Sequence, residues 1–326
     1  MQSGISLWLA IAATLLSTPT TAPAQGGGRD YVDLKVVSER FGMQGYWLAG
    51  HKTYRLRSRW TSIDAVKNSK SITINRVPVY LGFPTREWKG RLLITKDDYK
   101  HVLLPILTPQ VFGTSPELKR IIIDPGHGGR DSGAVNDAYG LKEKTLAMDV
   151  SLRLKSMLER AGYEVVLTRY RDQYLPLAER TRIANRTGGD LFISIHFNAA
   201  HSATASGYET FALTPQFQAS SKFAKPVSGD SVAYTGNRQD SWNTLSAYHI
   251  QHALVRRMGG PDRGLKRARF LVLKHLACPG VLVELGFISH PQSAQKVRSA
   301  AYRQTLAQSL YEGIVDYSNR LQRIQK

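Results

Sequence analysis

The 326-residue sequence contains one cysteine, Cys278. No disulfide can form within the chain, so the fold must be held by core packing or by a metal ion. Cys278 precedes an apolar strand, where a free thiol behaves as a small buried hydrophobe, and it is given no catalytic role. Acidic side chains are scarce: 25 Asp and Glu stand against 44 Lys and Arg, for a formal charge of +19. That imbalance constrains partners more than fold. The sequence also lacks an apolar run long enough to span a bilayer, a His-Glu-x-x-His helix, and a basic helix with interleaved aromatics of the kind that reads nucleic acid. Hydrophobic residues make up 42% of the chain, which excludes a disordered protein and is ample for real cores; the length suggests two domains.

The apolar run Ile5 to Leu16 is followed by Ala22-Pro23-Ala24, small residues suited to cleavage, and residues 1–24 read as a secretory signal peptide. No Lys or Arg precedes the run, the first basic side chain being Arg29, so only the terminal amine supplies the positive charge of such leaders. The expectation is an exported protein, periplasmic or extracellular, with no transmembrane segment in the mature chain. In that setting a basic surface suits anionic envelope polymers and not nucleic acid.

After the tether Gln25-Gly26-Gly27-Gly28, residues 30–110 read as a small α+β domain. Val36 to Phe41 suggests a short helix stopped by Gly42. Thr53-Tyr54-Arg55-Leu56 and Ser71-Ile72-Thr73-Ile74 alternate as half-exposed strands, Val77 to Leu81 follows the turn Asn75-Arg76, and Leu92-Leu93-Ile94 leads into a helix opened by Asp97-Asp98. No cluster of His, Cys or carboxylates with ligand spacing lies between Lys35 and Leu107, so this part is assigned no chemistry. Thr108 to Lys119, with Pro109, Gly113 and Pro116, reads as a linker.

Residues 118–322 alternate strands and helices. Strand 121–124 is followed by a helix from about Lys142 to Arg160 with Leu146, Val150, Leu154 and Leu158 on one face, then strand Val165-Val166-Leu167, helix Leu177 to Arg186 and strand 191–195. Strand Tyr208 to Leu213, helix Thr244 to Met258, strand Arg269 to Leu273, strand Val281 to Glu284 and a terminal helix Ala301 to Leu321 complete it. The expected fold class is α/β: a mostly parallel twisted sheet with helices on both faces, preceded by the small α+β domain.

Three buried strands end in an imidazole or a carboxylate. Ile121-Ile122-Ile123-Asp124-Pro125-Gly126 runs into His127, Leu191-Phe192-Ile193-Ser194-Ile195 into His196, and Val281-Leu282-Val283 into Glu284. Core packing needs the apolar runs and not those endings, and the carboxyl edge of such a sheet is where ligands bind. A hydrolytic metal site needs three imidazole or carboxylate ligands and a base left unbound. Glu143 opens the helix after the glycine loop, where a carboxylate is also favoured by the helix dipole, so spacing leaves its role open. Glu284, flanked by apolar residues, needs either a cation or a raised pKa to be buried there.

Asp124-Pro125-Gly126-His127-Gly128-Gly129, Leu141-Lys142-Glu143-Lys144, Ser194-Ile195-His196-Phe197-Asn198-Ala199 and Val283-Glu284-Leu285-Gly286-Phe287-Ile288-Ser289 closely resemble the zinc-dependent N-acetylmuramoyl-L-alanine amidases. Leu167-Thr168-Arg169, Leu177-Ala178-Glu179-Arg180 and Arg263-Gly264-Leu265-Lys266 support the resemblance. It implies an amidase-like fold, a Zn²⁺ held by His127, Glu143 and His196, and Glu284 as catalytic acid/base. It also implies peptidoglycan as substrate, cut between the lactyl group of N-acetylmuramic acid and L-alanine. Two positions depart from the family pattern: Phe197 where a small residue is usual, and His290 where Asn is usual. Some members carry a helix that plugs the cleft with a carboxylate; the corresponding loop, Thr214 to Asn243, has only Asp230 and Asp240, so no strong acidic plug is expected and any activator is undefined. A zinc peptidase cutting within the stem peptide and a catalytically silent wall-binding protein are the competing readings. Residues 30–110 resemble the N-terminal repeat domain shared with copper amine oxidases, through Tyr31-Val32-x-Leu34, Asn75-Arg76-x-Pro78-Val79-x-Leu81, Pro84 and Leu92-Leu93-Ile94. Copper is not implied; wall anchoring or spacing is.

Overall fold

The computed structural model describes residues 29–325, and the leader expected over residues 1–24 lies outside them. The N-terminal part runs β1 (Tyr31–Asp33), α1 (Leu34–Arg40), β2 (Gln44–Trp47), β3 (Thr53–Arg57), β4 (Ser62–Val66), β5 (Ser71–Ile74), β6 (Val77–Tyr80), β7 (Arg86–Trp88), β8 (Arg91–Thr95), α2 (Lys96–Asp98), a π-helical turn (Tyr99–Leu103) and α3 (Leu104–Leu107). Strict alternation sends Leu56, Ile63, Ala65, Ile72, Ile74 and Val79 inward, all but completely buried, while Arg55, Asp64 and Thr73 stay on the open face. Thr95 caps α2 by accepting from the Asp98 amide at 3.1 Å, and the Asp98 carboxylate returns to the Thr95 hydroxyl at 2.6 Å.

The remainder comprises β9 (Arg120–Pro125), the hairpin β10 (Val135–Asn136) and β11 (Leu141–Lys142), α4 (Glu143–Arg160), β12 (Glu164–Leu167), α5 (Leu177–Arg186), β13 (Leu191–Asn198), β14 (Tyr208–Leu213), α6 (Asp240–Met258), β15 (Asp262–Ala268), α7 (Leu271–Lys274), β16 (Gly280–Phe287), α8 (Pro291–Arg298) and α9 (Ala300–Gln325). The sheet order is β12-β9-β13-β16-β14-β15-β6-β5-β4-β3-β2. From β12 to β15 all neighbours are parallel except β14 with β16. Helices cover both faces, as expected. Ile121, Ile123, Ile193, Ile195, Val281 and Val283 pack under α4, α6 and α9, and Ile122, Phe192, Leu213 and Leu282 pack under α5 and α7 with Val272 and Leu273.

The strand expected over Arg269 to Leu273 is not there. β15 lies just before it, and Leu271–Lys274 is a short helix whose Val272 and Leu273 enter the second core. The polar text of β15 hid a strand because its charges are compensated by partners brought from elsewhere. The helix expected from Thr244 begins at Asp240. His290, the departure from the family pattern, is the N-cap of α8 and accepts from the Ser293 amide at 3.3 Å, ahead of Pro291, which is the work of a capping residue.

One feature had no local sign. β6 pairs in parallel with β15 through Val79 and Leu265, so β2 to β6 extend the larger sheet, while β1, β8 and β7 form a separate three-stranded sheet. Gly264, with φ +81°, permits the approach, since a Cβ there would collide with the Pro78 carbonyl. The seam is tied again by the buried guanidinium of Arg267, which donates to the His101 carbonyl at 2.8 Å and to the Thr244 hydroxyl at 2.7 Å. Among the described residues no helix is long and apolar enough to cross a membrane.

Candidate metal centre and active site

β9 ends at Pro125, and the turn beyond it holds His127 at φ +59°, a strained value for a residue with a side chain. Two buried arginines hold that turn. Arg180 donates to Asp124 Oδ1 and the Pro125 carbonyl, both at 2.8 Å, and to the His127 carbonyl at 2.7 Å. Arg169 donates to the Pro125, Gly126 and Lys144 carbonyls at 2.8–2.9 Å. The hairpin β10–β11 then returns the chain to the same sheet edge, where the Glu143 amide donates to the Ala134 carbonyl at 2.9 Å and starts α4. His196 arrives from the end of β13.

These three side chains meet. His127 Nε2 lies 3.1 Å and His196 Nδ1 2.8 Å from Glu143 Oε1, and one ligand atom from each lies within 4.8 Å of the others. The Phe197 amide donates to Glu143 Oε1 at 3.0 Å and the Ala134 amide to Oε2 at 2.8 Å, fixing both oxygens. Burial opposes the charge on Glu143, but hydrogen bonds from both imidazoles outweigh it and hold the carboxyl well below its usual range. Burial likewise opposes a proton on His127, while Glu143 and Asp131 together raise its pKa. Close packing leaves no slack: a Cβ at Gly126 would fall 2.5 Å from the His196 ring, and one at Gly133 would fall 2.5 Å from Glu143 Oε2.

The donor set fits a tetrahedral divalent ion such as zinc. Bonds of about 2.0–2.1 Å place the donor atoms of such a site roughly 3.3 Å apart, close to the spacing seen here. His127 presents Nε2 to the centre while Nδ1 meets Asp131 Oδ2 at 2.9 Å, which fixes the orientation of the ring; such outer carboxylates are usual behind histidines that hold a metal.

Glu284 stands on β16 directly beside His196 on β13. Its Oε2 is enclosed and has no hydrogen-bond partner among the described residues. Burial, with the nearby Glu143 and Glu209 carboxylates, pushes its pKa well above the usual range. Glu209, on β14 opposite Glu284, has no counterpart in the sequence reading. It is buried, accepts from Asn198 Nδ2 at 2.8 Å, and is paired with Arg263 at 2.8 Å and Lys266 at 2.5 Å.

Residues 121–316 match the family described as N-acetylmuramoyl-L-alanine amidase. The chain belongs to that family. The amidase is 36% identical over 197 residues to LytC of Bacillus subtilis strain 168, covering 60% of this chain and 35% of LytC. It is 33% identical over 223 residues to AmiA of Escherichia coli K12, covering 60% of this chain and 75% of AmiA. Among solved structures it is similar to the catalytic domain of CwlV from Bacillus (Paenibacillus) polymyxa var. colistinus, at TM-score 0.52 and 28% identity, covering 62% of this chain and 99% of that one. The amidase thus spans about a third of LytC but most of AmiA, and the family match begins beyond β1 to β8.

The supporting motifs of this amidase now have physical roles. Arg169 and Arg180 build the His127 turn, and Arg263 and Lys266 neutralise Glu209. Burial works against the charge on Asp124, but the Arg180 guanidinium, with hydroxyls from Thr168 and Ser194, outweighs it and holds the carboxyl low. The unfolded chain therefore binds more protons than the native one between the two pKa values. The pair's stabilisation is complete above the unfolded value of 3.8 and is lost as the pH falls through the lower native value. Arg180→Met leaves Asp124 as a buried carboxylate without its cation. It should cost about 3–5 kcal/mol in urea unfolding at neutral pH; a loss under 1 kcal/mol would contradict this account.

Of the seven basic residues between Ser246 and His275, six are engaged. Arg256 and Arg257 meet Glu312, Arg263 and Lys266 meet Glu209, Arg269 meets Asp230 at 2.5 Å, and Arg267 is buried at the seam. Arg267 is held by carbonyl and hydroxyl oxygens, and Lys274 has no carboxylate partner among the described residues. Asp230 and Asp240 are likewise occupied, Asp230 by Arg269 and Asp240 by Asn237 Nδ2 at 3.0 Å, and neither joins the His127–Glu143–His196 group.

Proposed function

We propose that this amidase hydrolyses the amide bond between the lactyl carbonyl of N-acetylmuramic acid and the L-alanine nitrogen of the peptidoglycan stem peptide, with His127, Glu143 and His196 holding Zn²⁺ and Glu284 as acid/base. The observation that carries the reading is the convergence of those three donors beside a carboxyl whose Oε2 has no other work. The ion, when bound, supplies a Lewis acid that acidifies water and polarises the amide carbonyl. Glu284 accepts the proton of the attacking water as the carbon–oxygen bond forms, and returns it to the alanine nitrogen as the carbon–nitrogen bond breaks. The pKa raised by burial makes Glu284 a stronger proton acceptor than an exposed carboxylate, which suits a group that takes a proton and then returns it. Asp131, Arg169 and Arg180 keep His127 aimed, which limits the geometric cost of reaching the transition state.

Support for an envelope location comes from the Ile5 to Leu16 run and the substrate class, and the site works in the periplasm or outside the cell. Both acids of the Thr214 to Asn243 loop are bonded elsewhere, which favours a cleft free of an acidic plug; an enzyme silent until that loop is deleted would refute this. Digestion of purified sacculi tests the main reading. Mass analysis should find intact stem peptides with L-alanine at the amino end, and metal analysis one zinc per chain. Peptides shortened internally, with no free L-alanine amino end, would replace the amidase by a peptidase.

A further inference from the structure

The sheet pairing puts residues from both parts of the chain on one face. Tyr80 follows Val79 and Lys266 follows Leu265 across the seam, Lys266 is level with Phe211, and Phe211 and Glu209 share the side of Leu282 and Glu284. The face that carries the acid/base therefore continues past β14 and β15 onto β6, three strand spacings or about 14 Å away. On that face lies a cavity of about 660 Å³ lined by Tyr80, Phe211, Phe270, Tyr234 and Lys274, among others. Its outer wall is the segment around Ser220 to Phe223, which Lys70 of the N-terminal part fastens by donating to the Ser220 carbonyl at 2.9 Å and to the Phe223 carbonyl. The N-terminal part thus contributes Tyr80 to the lining and, through Lys70, fastens the outer wall.

Its chemistry is specific. Aromatic faces line it, Lys266 Nζ lies 5.6 Å from the Tyr80 ring and 5.9 Å from the Phe211 ring, and Lys274 Nζ lies 4.6 Å from the Tyr234 ring. Lys274 and Lys222 line it without a carboxylate partner among the described residues. Rings stack on the apolar faces of sugars, and unpaired ammonium groups attract carboxylates. Hydrolysis of a lactyl amide leaves a carboxylate on the glycan, so an already processed neighbour on the same strand carries both features. We propose that the seam cavity binds a processed segment of the glycan strand, sugars bearing free lactyl carboxylates, beside the muramoyl unit being cut. This rests on the proposed amide hydrolysis, and it makes the N-terminal part a wall of the substrate cleft.

The test uses the full-length protein and calorimetric titration with peptide-free glycan strands, with chitin oligosaccharides as the uncharged comparison. The stripped strands should bind at least about tenfold more tightly than chitin oligosaccharides of equal length, and Lys274→Gln and Tyr80→Ala should each remove most of that difference while thermal melting shows the variants folded. Equal affinity for the two ligands, or unchanged affinity in both variants, would overturn the proposal. Should a variant fail to fold, Lys222→Gln provides the same comparison. Failure of the sacculus digest to yield L-alanine-ended peptides would instead sink the hydrolysis reading, and the binding result would still be readable on its own.

Discussion

Glu284→Gln should lower kcat by about 10³–10⁴-fold while the protein keeps one divalent ion per chain. That is about 4–5.5 kcal/mol of barrier, the size expected when the one group that moves the proton both ways is lost. Glutamine keeps the shape of the side chain and cannot carry the proton. The fold should not suffer. Glu284 Oε2 is an enclosed oxygen without a hydrogen-bond partner, and replacing a carboxyl that burial and two nearby carboxylates already disfavour in its charged form removes a strain instead of a support. A thermal midpoint equal to or above that of the parent, full metal content and near-zero turnover form one coherent result. Turnover within tenfold of the parent would remove Glu284 from the mechanism.

His196→Ala should reduce both metal content and hydrolysis to background. His196 is one of the three proposed donors, and its Nδ1 lies 2.8 Å from Glu143 Oε1, so its loss would leave a two-ligand site. The comparison that isolates the ion is chelation. If the ion binds only the native state, removing it from the parent protein costs the linkage free energy, about 4 kcal/mol when free metal stands at a thousand times its dissociation constant, and the melting temperature should fall. His196→Ala should show no such fall. The apo protein should stay folded, because the cores on both sheet faces do not depend on the site. Stoichiometric metal in the variant, or parent activity indifferent to chelator, would contradict the assignment.

The His127–Glu143–His196 group and the neighbouring Glu284 were legible because each sits where a strand or helix announces an end. Asp124-Pro125-Gly126 stops β9 just before His127, β13 carries His196 at its far end, and β16 turns from valine and leucine to Glu284. What surrounds them was not legible. Asp131 and Glu209 look like ordinary acids in polar text, and only folding brings Asp131 to His127 and Glu209 to Arg263 and Lys266. β15 was missed for the same reason: a strand whose charges find partners across the sheet carries no apolar signature, whereas Leu271-Val272-Leu273 carries one and is a helix.

The chain by itself therefore determined most of the element types, the expected class of sheet and the identity of the converging side chains, because periodicity and strand-ending residues are properties of short stretches. The tertiary structure alone decided that β6 lies against β15, that the N-terminal strands share a face with Glu284, and which cations are left unpaired. Those outcomes depend on pairings between residues as far apart as Val79 and Leu265, and no local pattern encodes a partner that only the closed sheet can supply.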